Sequence, residues 1–253
     1  MKKLRLARKL LSFNNAKTIK GESLGFRTAI LYLAPSFLSG VMDTCPHSSK
    51  QCRATCLYHS GRSLMFPKIN EARVSKTKLF YAHPDLFWEV LQNELDDHRN
   101  YCLKRGLKPA FRFNGTSDIY NAELQNFMWQ NQDVDFYDYT KDFELIKKYI
   151  GRKLAHNYSL TFSYSENNFD ESIFCLNNGV NVAVVFAVKR GHKLPSTWNG
   201  FQVIDGDTHD LRFLDSIKGY QEKKAFVIGL RAKGHARKLK PSRVGFVQPN
   251  MNT

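Results

Sequence analysis

A repeating rhythm in the second half of the chain constrains its fold more than any other feature. Short β-prone runs are each followed by a polar loop, and most of those loops lead into a stretch of helical spacing. PAFRFN (109–114) reads as a strand, GTSDI as a loop and 121–131 as a helix; VDFYDY (134–139) precedes TKD and a helix at 142–150. YSLTFS (158–163) precedes YSEN and a helix at 170–178, and VNVAVVFAV (180–188), FQVID (201–205) and AFVIGL (225–230) are three further strands. Strands that alternate with helices pair in parallel, because each helix carries the chain back to the starting edge. The expected fold class is therefore α/β: a single-domain β/α barrel, complete or partial, of mostly parallel strands. A length of 253 residues suits it. An open doubly wound sheet is the alternative, although no G-x-G-x-x-G or P-loop motif supports nucleotide binding of that kind.

The first half supplies the opening strand and a long loop. TAILYLA (28–34) is an apolar, β-prone run that Pro35 ends. The segment 35–66 reads as a loop carrying three of the five cysteines, and loops of that length are usually functional. Helices follow at 68–80 and from Pro84, where Phe87, Leu91, Leu95 and Cys102 fall near helical spacing and Gly106 marks the end. The expected boundaries are a basic N-terminal arm at 1–27, a barrel-like domain at 28–247 containing the cysteine loop 35–66, and a flexible tail at 248–253. A transit peptide is the other reading of the basic start.

In a parallel α/β architecture the loops after the strand C-termini gather on one face, and that face holds the site. The polar residues of this chain cluster there. Asn114 and Asp118 follow one strand, Lys141 and Asp142 the next, Ser163 and Glu166 the third, and Asp205 and Asp207 a later one. Asp118, Lys141, Asp142, Glu166, Asp205 and Asp207 are candidates for proton transfer or polar binding. Turn and helix-cap chemistry would select many of the same residue types.

The segment Cys45-Pro46-His47-Ser48-Ser49-Lys50-Gln51-Cys52-Arg53-Ala54-Thr55-Cys56 has the spacing C-x6-C-x3-C. Thiolates bind soft and borderline metals, and three protein ligands leave one coordination position open. The readings are a three-cysteine iron–sulfur cluster, a zinc site with His47 or His59 as a fourth ligand, or incidental cysteines. Lys50, Arg53, Arg62, Arg73 and Lys76 surround the segment and would stabilise thiolates or meet phosphate. Cys102 and Cys175 sit among apolar neighbours and read as core residues.

Charge narrows the partners. Lys and Arg number 38 against 23 Asp and Glu, a formal net charge of +15 that favours an anionic partner such as nucleic acid or a nucleotide. No run of 18 apolar residues is present, so no membrane span is expected, and no secretory signal opens the chain, so a cytoplasmic location is expected. The basic stretches 2–9 and 233–240 would meet phosphate.

CPHSSKQCRATCLYHSGR, EARVSKTKLF, FRFNGTSDI, FYDYTKD, LTFSYSEN and VIDGDTHDLRF, in that order, resemble the phage gene product 88 family over about residues 14–247. The resemblance implies a bacteriophage or prophage origin and the host cytoplasm, and brings no activity with it. A looser resemblance links the chain to radical S-adenosylmethionine enzymes, whose β/α barrel carries three cluster-binding cysteines in the loop after the first strand. Their usual spacing is C-x3-C-x2-C, from which this chain departs. That resemblance implies a four-iron four-sulfur cluster on Cys45, Cys52 and Cys56, with Asn114, Ser163 and Glu166 holding S-adenosylmethionine.

The expected function is an iron–sulfur, radical-type enzyme acting on a nucleotide, nucleic acid or other anionic substrate. Its rivals are a non-enzymatic nucleic-acid-binding protein with structural zinc, and a metal-dependent hydrolase using Asp118, Asp142, Glu166, Asp205 and Asp207.

Overall fold

The computed structural model of the chain describes residues 9–13, 15, 18–59 and 61–250. It begins with a short strand β1 (Leu11–Ser12), one turn of helix α1 (Ile19–Glu22) and the first long strand β2 (Phe26–Leu31). The cysteine segment holds α2 (Lys50–Ala54), a 3-10 turn at Leu57–His59 and α3 (Arg62–Met65). Two long helices, α4 (Pro67–Ala82) and α5 (Pro84–Leu103), lead to β3 (Lys108–Arg112). Alternation follows: α6 (Ala122–Gln130), β4 (Asp135–Thr140), α7 (Phe143–Ile150), β5 (Tyr158–Ser163), α8 (Phe169–Asn177) and β6 (Val182–Phe186). The last part contains β7 (Thr197–Trp198), β8 (Phe201–Asp205), α9 (Arg212–Glu222), β9 (Val227–Arg231), a 3-10 turn at Gly234–Lys238 and β10 (Val247–Gln248).

Among the described residues, ten strands join one mixed sheet in the order β1-β2-β3-β4-β5-β6-β9-β8-β7, with β10 beside β6. The ladders from β2 through β6 to β9 and β8 are parallel, and β1 and β7 pair antiparallel at the two ends of the order. The expected α/β class with mostly parallel strands stands, as a single domain on a mixed sheet; no ladder among the described residues closes that sheet into a ring. β5 meets β6 only at Phe162↔Val182 and Ser163↔Ala183, and β10 pairs with β6 further along, at Val247↔Val185 and Gln248↔Phe186. Gln248 thus belongs to a buried strand and not to the expected tail. Residues 1–8 of the expected arm and 251–253 of the tail lie outside the described residues.

Both faces of the sheet are buried, as parallel strands require. On one face Phe111, Phe113, Phe136, Leu160, Phe162, Val182 and Val184 join the core residues of α4 to α8. Along α5, Phe87, Leu91, Leu95, His98 and Cys102 form the buried stripe, and Gly106, at φ +63°, reverses the chain after the helix. Asn121 and Asp142 cap α6 and α7, accepting from the amides of Leu124 and Leu145 at 2.9 and 3.0 Å. Such caps contribute about 1 kcal/mol each.

The opposite face carries α9, which the sequence pattern does not predict. Ala110 of β3 and Tyr137 of β4 pack there against Leu211 and Phe213. The placement follows from strand order. β9 inserts between β6 and β8, so the crossover from β8 to β9 runs back along the sheet, and a right-handed crossover in that direction lies on the other face. Ions inside this layer anchor it: Arg112 Nη1 lies 3.1 Å from Asp210 Oδ2, and Arg212 Nη1 lies 3.0 Å from Asp215 Oδ2. These groups make the stretch look like polar loop in the sequence, because paired buried charges carry no apolar period.

His98 provides a test of the packing. It is 1% exposed, and its Nε2 lies 3.1 Å from the Arg27 carbonyl. Burial, reinforced by the Arg27 cation, holds its pKa down at about 4. Because the folded value lies below the unfolded one, the unfolded chain takes up the proton first. Stability is fully present above about pH 6.5 and is lost as pH falls towards about 4, by on the order of 3 kcal/mol. Urea midpoints measured across that window should fall less steeply for His98→Gln than for the wild type; parallel curves would show that His98 is not buried neutral.

Candidate functional site at the carboxyl rim

The parallel ladders bring the C-terminal ends of β2 to β6, β8 and β9 to one rim, and the cysteine segment folds back over the ends of β2 to β5. Three ties hold it. Thr44 accepts the Asp118 amide on its carbonyl at 2.7 Å and donates from its hydroxyl to the Ala34 carbonyl at 2.6 Å. Glu166, from the loop after β5, accepts from Ser49 Oγ at 2.7 Å and from the Gln51 amide at 2.8 Å. Gln51 Oε1 in turn accepts from the Phe246 amide at 3.0 Å, linking α2 to the C-terminal strand. Ser49 also caps α2 by accepting from the Cys52 amide at 3.1 Å. The segment is therefore not a plain loop; the amides that open its first helix are taken up by Ser49 and by Glu166 of another loop, which lets it lie against that loop.

Gly115 shows how closely these layers meet. Its amide donates to the Leu31 carbonyl at 3.0 Å, and a Cβ placed there would sit 2.6 Å from a Tyr32 ring carbon and 2.7 Å from that carbonyl. Only glycine lets the loop after β3 press against the end of β2, where the cysteine segment begins.

Cys45, Cys52 and Cys56 are half-buried thiols, while Cys102 and Cys175 are core residues. Cys45 Sγ lies 3.7 Å from the Thr116 carbonyl. Burial pushes the Cys45 thiol up to about 11, helped by the nearby Asp118 and Cys56. Burial also raises Cys56, which Cys52 raises further and Arg73 and Lys141 draw back down. Cys56 is thus within electrostatic range of both other thiols and of two cations. Arg73 is buried, its guanidinium 5.1 Å and 5.4 Å from the rings of Tyr32 and Tyr58. Among the described residues, no three His, Cys, Asp or Glu side chains are arranged to hold a metal ion as they stand.

The other predicted residues divide by what they touch. Asp118 accepts from the Lys141 amide at 2.8 Å, and burial raises its pKa. Asp142 caps α7 and its Oδ2 lies 3.4 Å from His47 Nε2. Asn114 is buried and fully occupied. Its side chain accepts from Ser117 Oγ at 2.7 Å and the Ile119 amide at 3.0 Å, and donates to the Ile119 carbonyl and Asp138. Ser163 ends β5 half-buried, its carbonyl accepting from Asn168 Nδ2 at 3.0 Å. Asp118, Lys141, Asp142, Glu166 and Asn114 are gathered around or beneath the cysteine segment.

Asp205 and Asp207 lie elsewhere on the rim. Arg231 binds Asp205 through two 2.8 Å contacts and Asp207 at 3.2 Å, and Lys233 binds Asp207 at 2.8 Å. This cluster borders a cavity of about 330 Å³ lined by His192, Leu194, Pro195, Val203, Asp205 and Arg231.

Sequence reasoning missed two organising side chains. Asp138, buried in β4, accepts from the Asn114 amide at 2.7 Å and Tyr158 Oη at 3.1 Å, and burial pushes its pKa up to about 7. The signal was an aspartate in the middle of a buried strand, which needs partners. Gln248 donates to Tyr164 Oη and the Gly245 carbonyl and accepts from Trp198 Nε1 at 3.1 Å; nothing in its local sequence marks it.

Removing the Glu166 carboxylate should loosen α2 and leave the core intact. Glu166→Ala should cost about 1–3 kcal/mol and speed alkylation of Cys52 and Cys56, while Cys102 and Cys175 stay protected. Mass spectrometry of the labelled cysteines reads this out; an unchanged labelling order would mean other contacts hold the segment.

No curated protein and no solved structure is matched by this chain. The family model for gene product 88 matches residues 9–244, which spans all ten strands except the last. The chain belongs to the phage gene product 88 family.

Proposed function

We propose that the chain is an enzyme built on a thiolate-held iron–sulfur cluster, with Cys45, Cys52 and Cys56 as its ligands and an anionic substrate meeting it at the rim. One observation carries the reading: three half-buried thiols share a segment that the Glu166 carboxylate and the Asp118 backbone amide, from two other strand-end loops, tie to the C-terminal rim. The donor set suits iron–sulfur chemistry. Rotation of the three cysteine side chains would be needed to bring the sulfurs round a common centre. Cys45, Cys52 and Cys56 would hold the cluster, which would supply one-electron chemistry and, with only three protein ligands, leave room for a non-protein ligand such as S-adenosylmethionine.

The protein's own contribution would be placement and charge. Arg73 and Lys141 would offset the negative charge of the bound thiolates. Glu166 and Asp118 would serve as clamps through backbone amides, and neither offers an unoccupied carboxylate oxygen as simply as the sequence suggests. The three-thiolate reading is favoured over a closed zinc site because both nearby imidazoles are engaged elsewhere. His47 faces Asp142, and the His59 ring stacks on His235 with centroids 5.9 Å apart.

Anaerobic reconstitution with iron and sulfide tests the proposal. Wild type should take up about four iron and four sulfide per chain with broad visible absorption, and addition of S-adenosylmethionine should change the electron paramagnetic resonance spectrum of the reduced sample. Cys45→Ser, Cys52→Ser and Cys56→Ser should each abolish uptake, whereas Cys102→Ala and Cys175→Ala should keep it. One tightly held zinc and no iron uptake would overturn the reading.

A further inference from the structure

The rim carries a second feature that the thiol site does not use. β6 and β9 are neighbours in parallel register up to Phe186↔Arg231, so the segments that follow them leave the sheet side by side. The Ala187 amide donates to the Gln248 carbonyl at 2.9 Å and the Ala232 amide to the Phe186 carbonyl at 3.0 Å, which keeps the two segments together. Neither 187–204 nor 232–250 contains an aspartate or glutamate. Lys189, Arg190, Lys193, Arg237, Lys238 and Lys240 are all exposed there, and none forms an ion pair among the described residues. The two carboxylates nearest in the rim, Asp205 and Asp207, are already bound by Arg231 and Lys233. This leaves a cationic surface with no internal counterion.

Its position ties it to the cysteine segment. The turn Gly234–Lys238 packs against the turn Leu57–His59, and Phe246 is bonded to Gln51 of α2. We propose that this surface binds the phosphate backbone of a nucleic acid and presents it to the rim where the thiols lie. Six long, exposed cations spread over two segments do not form a cage for one small anion. They match a polyanion with regularly spaced charge, whose condensed counterions they would release on binding. A bilayer would instead select exposed apolar side chains among the cations, and of the large hydrophobics in these two segments only Val244 is markedly exposed. The inference names the class of anionic partner for the proposed enzyme, but stands on this surface and not on the metal.

Fluorescence anisotropy with labelled single-stranded and duplex DNA tests it. For six phosphate contacts, the logarithm of affinity should fall against the logarithm of salt with a slope of about −4 for a single strand or about −5 for a duplex. The triple variants Lys189→Gln/Arg190→Gln/Lys193→Gln and Arg237→Gln/Lys238→Gln/Lys240→Gln should each halve that slope. Neutralising Lys104, Lys147 and Lys148 on the helical face should leave it unchanged. The proposal is overturned if the rim variants bind as the wild type does, if the helical-face control loses as much, or if phosphatidylserine vesicles bind while the oligonucleotides do not. Serine at all three rim cysteines should leave DNA binding in place, so failure of the cluster reading and failure of this one are separately visible.

Discussion

Parallel pairing is the constraint on which everything else rests. Each crossover returns the chain to the same edge, so β2 to β6, β9 and β8 all deliver their C-termini to one rim. A sheet of this kind exposes neither face to water, and the two faces are covered by different means. Helices α4 to α8 cover one with an aromatic-rich apolar layer, and α9 covers the other with a small apolar cluster and a set of paired buried charges. Because the faces are closed, loops and the rim are where the chain has polar groups to use.

Most of those polar groups are spent on structure. Asn114 and the Asp118 carboxylate order the neighbouring strand-end loops, while the Glu166 carboxylate and the Asp118 backbone amide hold the cysteine segment against them. A carboxylate accepting hydrogens with both oxygens, as Glu166 accepts from the Ser49 hydroxyl and the Gln51 amide, suits a role that demands rigidity. What remains distinctive is the trio of half-buried thiols beside Arg73 and Lys141, and the uncompensated cations after β6 and β9. The two lie on one rim because Gln51, Phe246 and the paired turns at 57–59 and 234–238 bind the last part of the chain to the cysteine segment.

The alternation of period-two and helical patterns located nearly every parallel strand and the helices α4 to α8 to within a few residues. Three kinds of feature escaped it. β1, β7 and β10 are two residues long and owe their existence to neighbours rather than to pattern. α9 escaped because Arg212 and Asp215, which are buried, break its apolar period. The separation of Asp205 and Asp207 from the other acidic residues escaped because both groups follow strand ends, and spacing along the chain does not report distance across a sheet.

From the sequence alone one could derive the α/β class, the parallel sheet, the rim as the place for chemistry and the three cysteines as its most unusual residues. Those follow from local patterns: side-chain periodicity, turn composition and thiol spacing are properties of neighbouring residues. Tertiary structure alone decided that β9 inserts between β6 and β8, that α9 lies on the opposite face, and that Glu166 and Asp118 brace the segment while Asp205 and Asp207 bind Arg231. Each of these depends on pairings between residues far apart in the chain, where hydrogen-bond geometry and burial, not sequence proximity, select the partner.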